Sequence, residues 1–389
     1  MKREIFNTYP GCMALVFLMS GNQVYALCDN YCHKNIQSII DHDRELYSIP
    51  GVQVSIIFPG ENIPDDFVSG SIKDNINIPV QQNNYFQIGS ETKSFVATIL
   101  LQLEAEQRLS LDDKIIKWLP FIPATWNKVT IRQLLNHTSG IYNYDDVLIE
   151  MASKGKLNLN KQWSAPELIN LIIEKNVYFP PGKGWHYSGT NYVLAGMIIE
   201  SVTHMAFRDV INSRLLQPLI LQNTYYISWN YDYKTLLRMS HGYSRTKLFH
   251  NMDVLSINPS WSNTASAVIS TAHDMVIWIK TFLTGNILPI AQLHEMMSLV
   301  DRENGQPIPV TSNKSGYGLA IMHDFTTYGE ETWSHSGATL GFSSYMIWLK
   351  SSNIFIAIHG NDLSAALPEK RDLFYLTQDV IAFLQNNSN

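Results

Sequence analysis

The sequence predicts an α/β protein of the α+β type: an antiparallel sheet built from both chain ends, flanked by helices, with a mainly helical subdomain inserted between. Three observations carry this. Strand-like runs occupy residues 49–58 and then 331–358, far apart along the chain. Helical periodicity prevails in what lies between them. The C-terminal runs are joined by turns as short as Ser351-Ser352, which suits antiparallel neighbours and not parallel crossovers.

In chain order, residues 49–58 (IPGVQVSIIF) are β-branched and alternating, with Pro-Gly at each end, and residues 67–72 offer a second short strand to pair with them. Residues 85–88 are strand-like again and give way at Gly89 to a helix. In it Phe95, Ile99 and Leu103 recur every four residues beside Val96 and Leu100. Helices are expected at 131–136, 165–174 and 192–203, the last after the turn signal Pro180-Pro181-Gly182. Strands at 331–337, 342–350 and 353–358 form a meander, and residues 371–384 close the chain as an amphipathic helix. The sheet lobe is expected at 36–88 and 290–389 and the helical lobe at 89–289, in one domain spanning 27–389.

With 45% hydrophobic and 16% charged residues over 389 positions, the chain can bury a substantial core. Its net charge of −6, with no basic patch, argues against a nucleic-acid partner. Lys2 and Arg3, the apolar stretch 12–19 and Val24-Tyr25-Ala26 read as a signal peptide over residues 1–26, cleaved after Ala26. The protein is therefore expected to be exported, either periplasmic or secreted. No other stretch reaches the roughly 18 apolar residues of a membrane helix, so the mature chain is expected to carry no integral segment. Cys28 and Cys32 are spaced to close a small disulfide loop in an oxidising compartment, and no further Cys or close His pair points to a metal.

A serine hydroxyl needs a neighbouring base to act as a nucleophile at neutral pH, and a lysine three residues on, one helical turn away, is one solution. Ser-x-x-Lys occurs three times, at Ser90–Lys93, Ser153–Lys156 and Ser244–Lys247, so spacing alone selects nothing. A lone match would read as an ordinary helix cap. Only Ser90 sits where a strand passes through a glycine into a strongly periodic helix, with first-turn N–H groups available to the serine.

The text around Ser90, IGSETKSFVATILLQLEAEQRLSLDD (88–113), closely resembles the class C β-lactamase and serine DD-peptidase family of penicillin-binding proteins. So do LLNHTSGI (134–141), PGKGWHYSGTNYVLAG (181–196) and HSGATLGFSS (335–344), in the family's order and spacing. The resemblance runs from about residue 49 to 358 and leaves the leader before about residue 36 outside. It implies a serine β-lactamase/DD-peptidase-like fold and a role for each matched residue. Ser90 would attack the carbonyl and hold the acyl group, and Lys93 would take or relay its proton. Tyr187 would act as base in acylation or as acid toward the leaving nitrogen. His335, Ser336 and Gly337 match the strand motif that edges the cleft, and the N–H groups of Ser90 and Ala338 would form the oxyanion hole. Lys and Tyr both titrate near 10 in isolation, so the base role belongs to the pair. Asn136 and His137 are expected to hold a turn and do no chemistry.

Two positions depart from the family. Gly189 stands where the second motif carries Asn. Losing that amide removes about 1–3 kcal/mol of hydrogen bonding, which predicts weaker recognition of peptide-like side chains and a more permissive pocket. His335 stands where many members carry Lys, which predicts that handling of carboxylate substrates declines as pH rises through its pKa. The expectation is an exported serine hydrolase most like a D-alanyl-D-alanine carboxypeptidase acting on peptidoglycan-type peptides. A β-lactamase or esterase of the same fold is the alternative within the same chemistry. A non-turnover penicillin-binding sensor is the alternative from another class, and the intact Ser90, Lys93 and Tyr187 stand against it. The expected partner is a small-molecule or peptidoglycan-peptide substrate, and no metal or organic cofactor is expected.

Overall fold

Ten strands hydrogen-bond into one sheet whose centre is made jointly by the two ends of the chain. The computed structural model describes residues 28–363 and 372–386, apart from positions 75, 228, 250, 251, 286, 310 and 311. The signal-peptide reading of residues 1–26 lies outside them. The strands are β1 (Gly51–Ile57), β2 (Asp65–Lys73), β3 (Ile76–Pro79), β4 (Leu299–Val300), β5 (Pro307–Ile308), β6 (Gly316–Tyr317), β7 (Met322–Asp324), β8 (Thr332–Ala338), β9 (Ser343–Leu349) and β10 (Ile354–Gly360). Their order is β5-β4-β6-β7-β8-β9-β10-β1-β2-β3, and every pairing is antiparallel. The expected meander is β8-β9-β10, and β10 pairs with β1 from Val52↔Gly360 to Ile57↔Phe355.

Strand β1 is buried along its whole length because both of its faces are covered. Val52, Val54 and Ile56 pack with Ile356 and Ile358 against helices α1 (Asn30–Leu46) and α6 (Leu373–Asn386). Ile57, Phe355 and Ala357 join the larger core on the opposite face, beneath helix α5 (Ala272–Leu283). Each such side chain contributes about 1.5–3 kcal/mol on burial. Helix α1 falls in what reads from sequence as a polar leader. Its fully buried apolar seam is Ile36 and Ile40, one turn apart, with Ile39 and Cys32 partly buried beside them, and the Asp29 carboxylate caps the helix by accepting from the Tyr31 and Cys32 N–H groups at 2.9 Å. Cys28 and Cys32 form a disulfide across its first turn.

Helix α2 (Thr92–Ala105) departs from a one-sided amphipathic pattern, since Thr92 to Leu101 and Leu103 are all buried. A helix enclosed on every side is a core element. Phe95 stacks on Trp278 with centroids 3.9 Å apart, and the Trp278 indole N–H donates to Ser94 Oγ at 2.7 Å. The inserted lobe also holds α3 (Tyr144–Ser153) and α4 (Gly189–Thr203). The helix expected at 131–136 spans Ile131–Leu135, and the one expected at 165–174 is shorter, Ala165–Asn170; both open on full capping boxes. Helix α4 starts three residues before the expected 192, at Gly189.

Candidate active site

Gly89, at φ +51°, turns the chain out of the short strand Phe86–Gln87 into a single 3-10 turn, Gly89–Glu91, which runs directly into α2. Ser90 sits in that turn and Lys93 follows on the first turn of the buried helix. Lys93 is 1% exposed, and its Nζ donates to Ser90 Oγ and to the Ala265 carbonyl, both at 2.9 Å. Burial pulls the Lys93 ammonium down to about 7, with the Asp145 carboxylate opposing the shift. Tyr187 comes in from the loop before α4, its ring centroid 4.9 Å from Lys93 Nζ and its hydroxyl facing Ser90. Burial raises that phenol far above its ordinary range, and the contact with Ser90 only partly offsets it.

Strand β8 forms the opposite wall. Its burial alternates from His335 onward, where His335 and Gly337 are buried while Ser336 and Ala338 are exposed. Two glycines allow the strand to reach the nucleophile. A Cβ on Gly89 would lie 2.5 Å from the Ala338 nitrogen, and one on Gly337 would lie 1.9 Å from the Ile88 carbonyl oxygen. The structure thus brings Ser90, Lys93, Tyr187 and Ala338 to one end of a cavity of about 220 Å³.

His335 does not stand as the sequence predicts. Its Nδ1 lies 2.7 Å from the Ser336 carbonyl, which can only accept, so Nδ1 carries the proton; Nε2 lies 3.0 Å from the Tyr317 hydroxyl and accepts from it. Both ring nitrogens are spent on the protein. Burial, with Lys93 adding to it, pushes the imidazole down to about 3. The expected titration of a charged His335 is corrected accordingly: at working pH the ring is neutral and offers no donor to a substrate.

Asp145, not singled out from sequence, lies in the same cavity on the first turn of α3. The α3 start is pinned to α4. The Asn143 side-chain oxygen accepts the Gly189 N–H at 2.9 Å, and Thr190 Oγ1 accepts the Tyr144 N–H at 3.0 Å. A Cβ on Gly189 would lie 2.7 Å from Asp145 Oδ2, so the carboxylate fills the space that a side chain at 189 would need. Burial lifts the Asp145 carboxyl to about 6, and Lys93 works against the lift. The remaining walls are mostly apolar, including Leu148, Ile149, Trp163, Ile257, Trp261 and Leu340, with Lys161, Asn158 and Asn258 as polar members.

The β-lactamase family model matches residues 36–378. The chain belongs to the β-lactamase family. Among relatives it is 27% identical over 348 residues to "Protein flp" of Staphylococcus aureus, covering 87% of this chain and 65% of that one; the chain thus spans just under two-thirds of the length of the staphylococcal proteins it matches. A D-stereospecific amidohydrolase from Streptomyces sp. superposes with a TM-score of 0.71 at 31% identity, covering 85% of this chain and 94% of the other. The D-amino acid amidase of Ochrobactrum anthropi SV3, solved with L-phenylalanine amide, gives 0.78 at 26% identity, covering 92% and 99%.

Within this β-lactamase-family frame, the second-motif glycine is less a loss than an exchange, because a carboxylate occupies the place. The signal available in sequence was Gly189 itself; a side chain missing from a site invites a search for the group that replaces it. His137 keeps its expected turn role at φ +63°, where its Nδ1 accepts the Ser188 N–H at 3.2 Å. It also packs on Tyr187 with centroids 4.3 Å apart, bracing the loop that presents that tyrosine.

Proposed function

We propose that this protein is a serine hydrolase that works through an acyl-enzyme on Ser90. Its substrates are amides or esters of amino acids with an unblocked amino group and a bulky apolar side chain. The observation that carries this reading is that the Asp145 carboxylate lines the same largely apolar cavity as the Ser90 nucleophile. A substrate ammonium would meet Asp145 while the side chain enters between Trp163 and Trp261. The likeness to a D-stereospecific amidohydrolase and a D-amino acid amidase supports a D-aminoacyl group. A D-alanyl-D-alanine carboxypeptidase would share the same chemistry; what separates the two readings is the charge that meets the substrate. A terminal carboxylate needs a cation; His335 is neutral and fully engaged, and the Lys161 ammonium that lines the cavity is paired with Glu167 at 3.3 Å and lies over the Trp163 ring.

The chemistry follows from the geometry. With Tyr187 held protonated, Lys93 as a neutral amine takes the Ser90 proton while Oγ attacks the substrate carbonyl. The N–H groups of Ser90 and Ala338 receive the oxyanion. The C–N bond then breaks as the Tyr187 hydroxyl protonates the leaving amine and is reprotonated from the Lys93 ammonium. Water attacks the acyl carbon with Lys93 again taking a proton, the bond from the acyl carbon to Ser90 Oγ breaks as Lys93 returns that proton to Oγ, and the free acid leaves. Export remains part of this proposal, supported by the Cys28–Cys32 disulfide; among the described residues no helix is long and apolar enough to cross a membrane.

The test compares D-phenylalanine amide, its N-acetyl derivative and an N-acylated D-Ala-D-Ala peptide at equal concentration. The free amide should be hydrolysed fastest. Faster turnover of the acylated, carboxylate-ended peptide would sink this reading in favour of the carboxypeptidase.

A further inference from the structure

The residue that follows the nucleophile has no part in the chemistry above. Glu91 ends the 3-10 turn, is 0% exposed, and neither of its carboxyl oxygens has a hydrogen-bond partner in bonding geometry among the described residues. The hydroxyl that faces it is that of Ser344 on β9. The neighbouring titratable groups are Tyr345 on the same strand and, paired across from Ser344 on β10, the buried His359. Among the described residues no ammonium or guanidinium compensates the carboxyl there, and a buried carboxylate without a cation takes up a proton instead. Burial moves the Glu91 carboxyl well above its usual range, with the Ser344 hydroxyl only partly opposing it, and burial holds His359 neutral, down to about 3.

Ser344 decides which way the contact runs. Its single proton goes to the Ile88 carbonyl at 2.9 Å, and a carbonyl only accepts. What remains on the Ser344 oxygen is acceptor capacity, so Glu91 must bring the proton to any bond between them. The same Ile88 oxygen takes the Glu91 N–H at 3.3 Å and lies where a Cβ on Gly337 would collide with it. At that one atom the Ser90 turn, β8 and β9 meet. Its position therefore sets the gap between the Ser90 N–H and the Ala338 N–H.

We propose that Glu91 is a positioning residue for the acyl transfer: as a neutral carboxylic acid donating to Ser344, it holds the Ser90 turn against β8 and sets the spacing of the two oxyanion N–H groups. This rests on Ser90 and Ala338 serving as proposed above, but the protonation state can be read without any activity.

Infrared difference spectra of wild type minus Glu91→Gln, taken at about pH 8, should show the carbonyl stretch of a protonated carboxyl in the wild type. An ionised carboxylate band in its place overturns the proposal, whatever the enzyme's substrate. In kinetics, Glu91→Gln keeps a donor and should leave kcat within about threefold, while Glu91→Leu should lower kcat by about tenfold to a hundredfold with KM little changed. Ser344→Ala should fall in the same range, and adding it to Glu91→Leu should cost little more. Equal damage from Gln and Leu, a loss confined to KM, or simply additive effects would each contradict the role. If Glu91→Leu fails to fold, the infrared arm and Glu91→Gln still decide it.

Discussion

The carboxylate of Asp145 stands 2.7 Å from where a Cβ on Gly189 would be, so the two positions cannot both carry a side chain in this arrangement. Gly189→Asn is therefore expected to displace the carboxylate, and Asp145→Asn to remove its charge. Losing the partner of a desolvated ammonium costs about 2–5 kcal/mol. Both variants should lose roughly thirtyfold or more in kcat/KM on D-phenylalanine amide, by the same principle. Both should keep most of their rate on a short p-nitrophenyl ester that has no amine. An equal loss on both substrates would mean that Asp145 serves the fold or Lys93 and not the substrate.

Lys93 ties the rate to pH. Below about 7 its ammonium is protonated and cannot take the Ser90 proton; above about 7 the free amine can. Acylation by an uncharged ester should accordingly rise with pH through about 7. Burial lowers this pKa and Asp145 raises it, so removing the charge in Asp145→Asn should move the acid limb to lower pH. The pH profile of kcat/KM on the ester measures this. A limb that stays put or moves upward would contradict the assignment of Lys93 as base.

His335 should contribute no limb of its own. Its folded pKa of about 3 lies below the working range, so any change between about pH 5 and 8 in the rate ratio of a carboxylate-ended to a neutral substrate should come from Asp145, at about 6, and Lys93, at about 7. Competition between two such substrates across that range, in wild type and His335→Asn, is the check. A pH dependence of the ratio that disappears in His335→Asn would restore the charged-histidine expectation.

Much of this architecture was legible in the sequence, and the gaps have physical causes. Residues 49–58 and 331–358 announced the sheet because their strands are long and buried, with clear alternation or continuous apolar runs. Strands β4 to β7 hold two or three residues each, too few for any period to register. Helix α1 was read as leader because three isoleucines and a terminal leucine in seventeen residues leave its pattern polar. Ser90, Lys93, Tyr187 and Ala338 were legible because each sits in a long motif block. Asp145 was not, because it lies in none of those blocks and only the packing of α3 on α4 brings it to Gly189. His335 was legible as a motif position, but no sequence pattern reveals that Tyr317 and the Ser336 carbonyl take up its ring nitrogens.

Gly337 offers a steric check on the oxyanion wall. With a Cβ 1.9 Å from the Ile88 oxygen, Gly337→Ala must push β8 away from the Ser90 turn. The expected result is a folded protein with kcat reduced by about a hundredfold or more. Circular dichroism and steady-state kinetics together test it, and an unchanged kcat would mean that the gap between Ser90 and Ala338 does not govern the reaction.

The central claim is covalent chemistry at Ser90, and intact-protein mass spectrometry during turnover of a D-phenylalanine ester addresses it most directly. The wild type should gain the mass of the phenylalanyl group, with peptide mapping placing it on Ser90, and Ser90→Ala should gain nothing and turn over nothing. Turnover that survives in Ser90→Ala, or an acyl group mapped to another residue, would contradict the account.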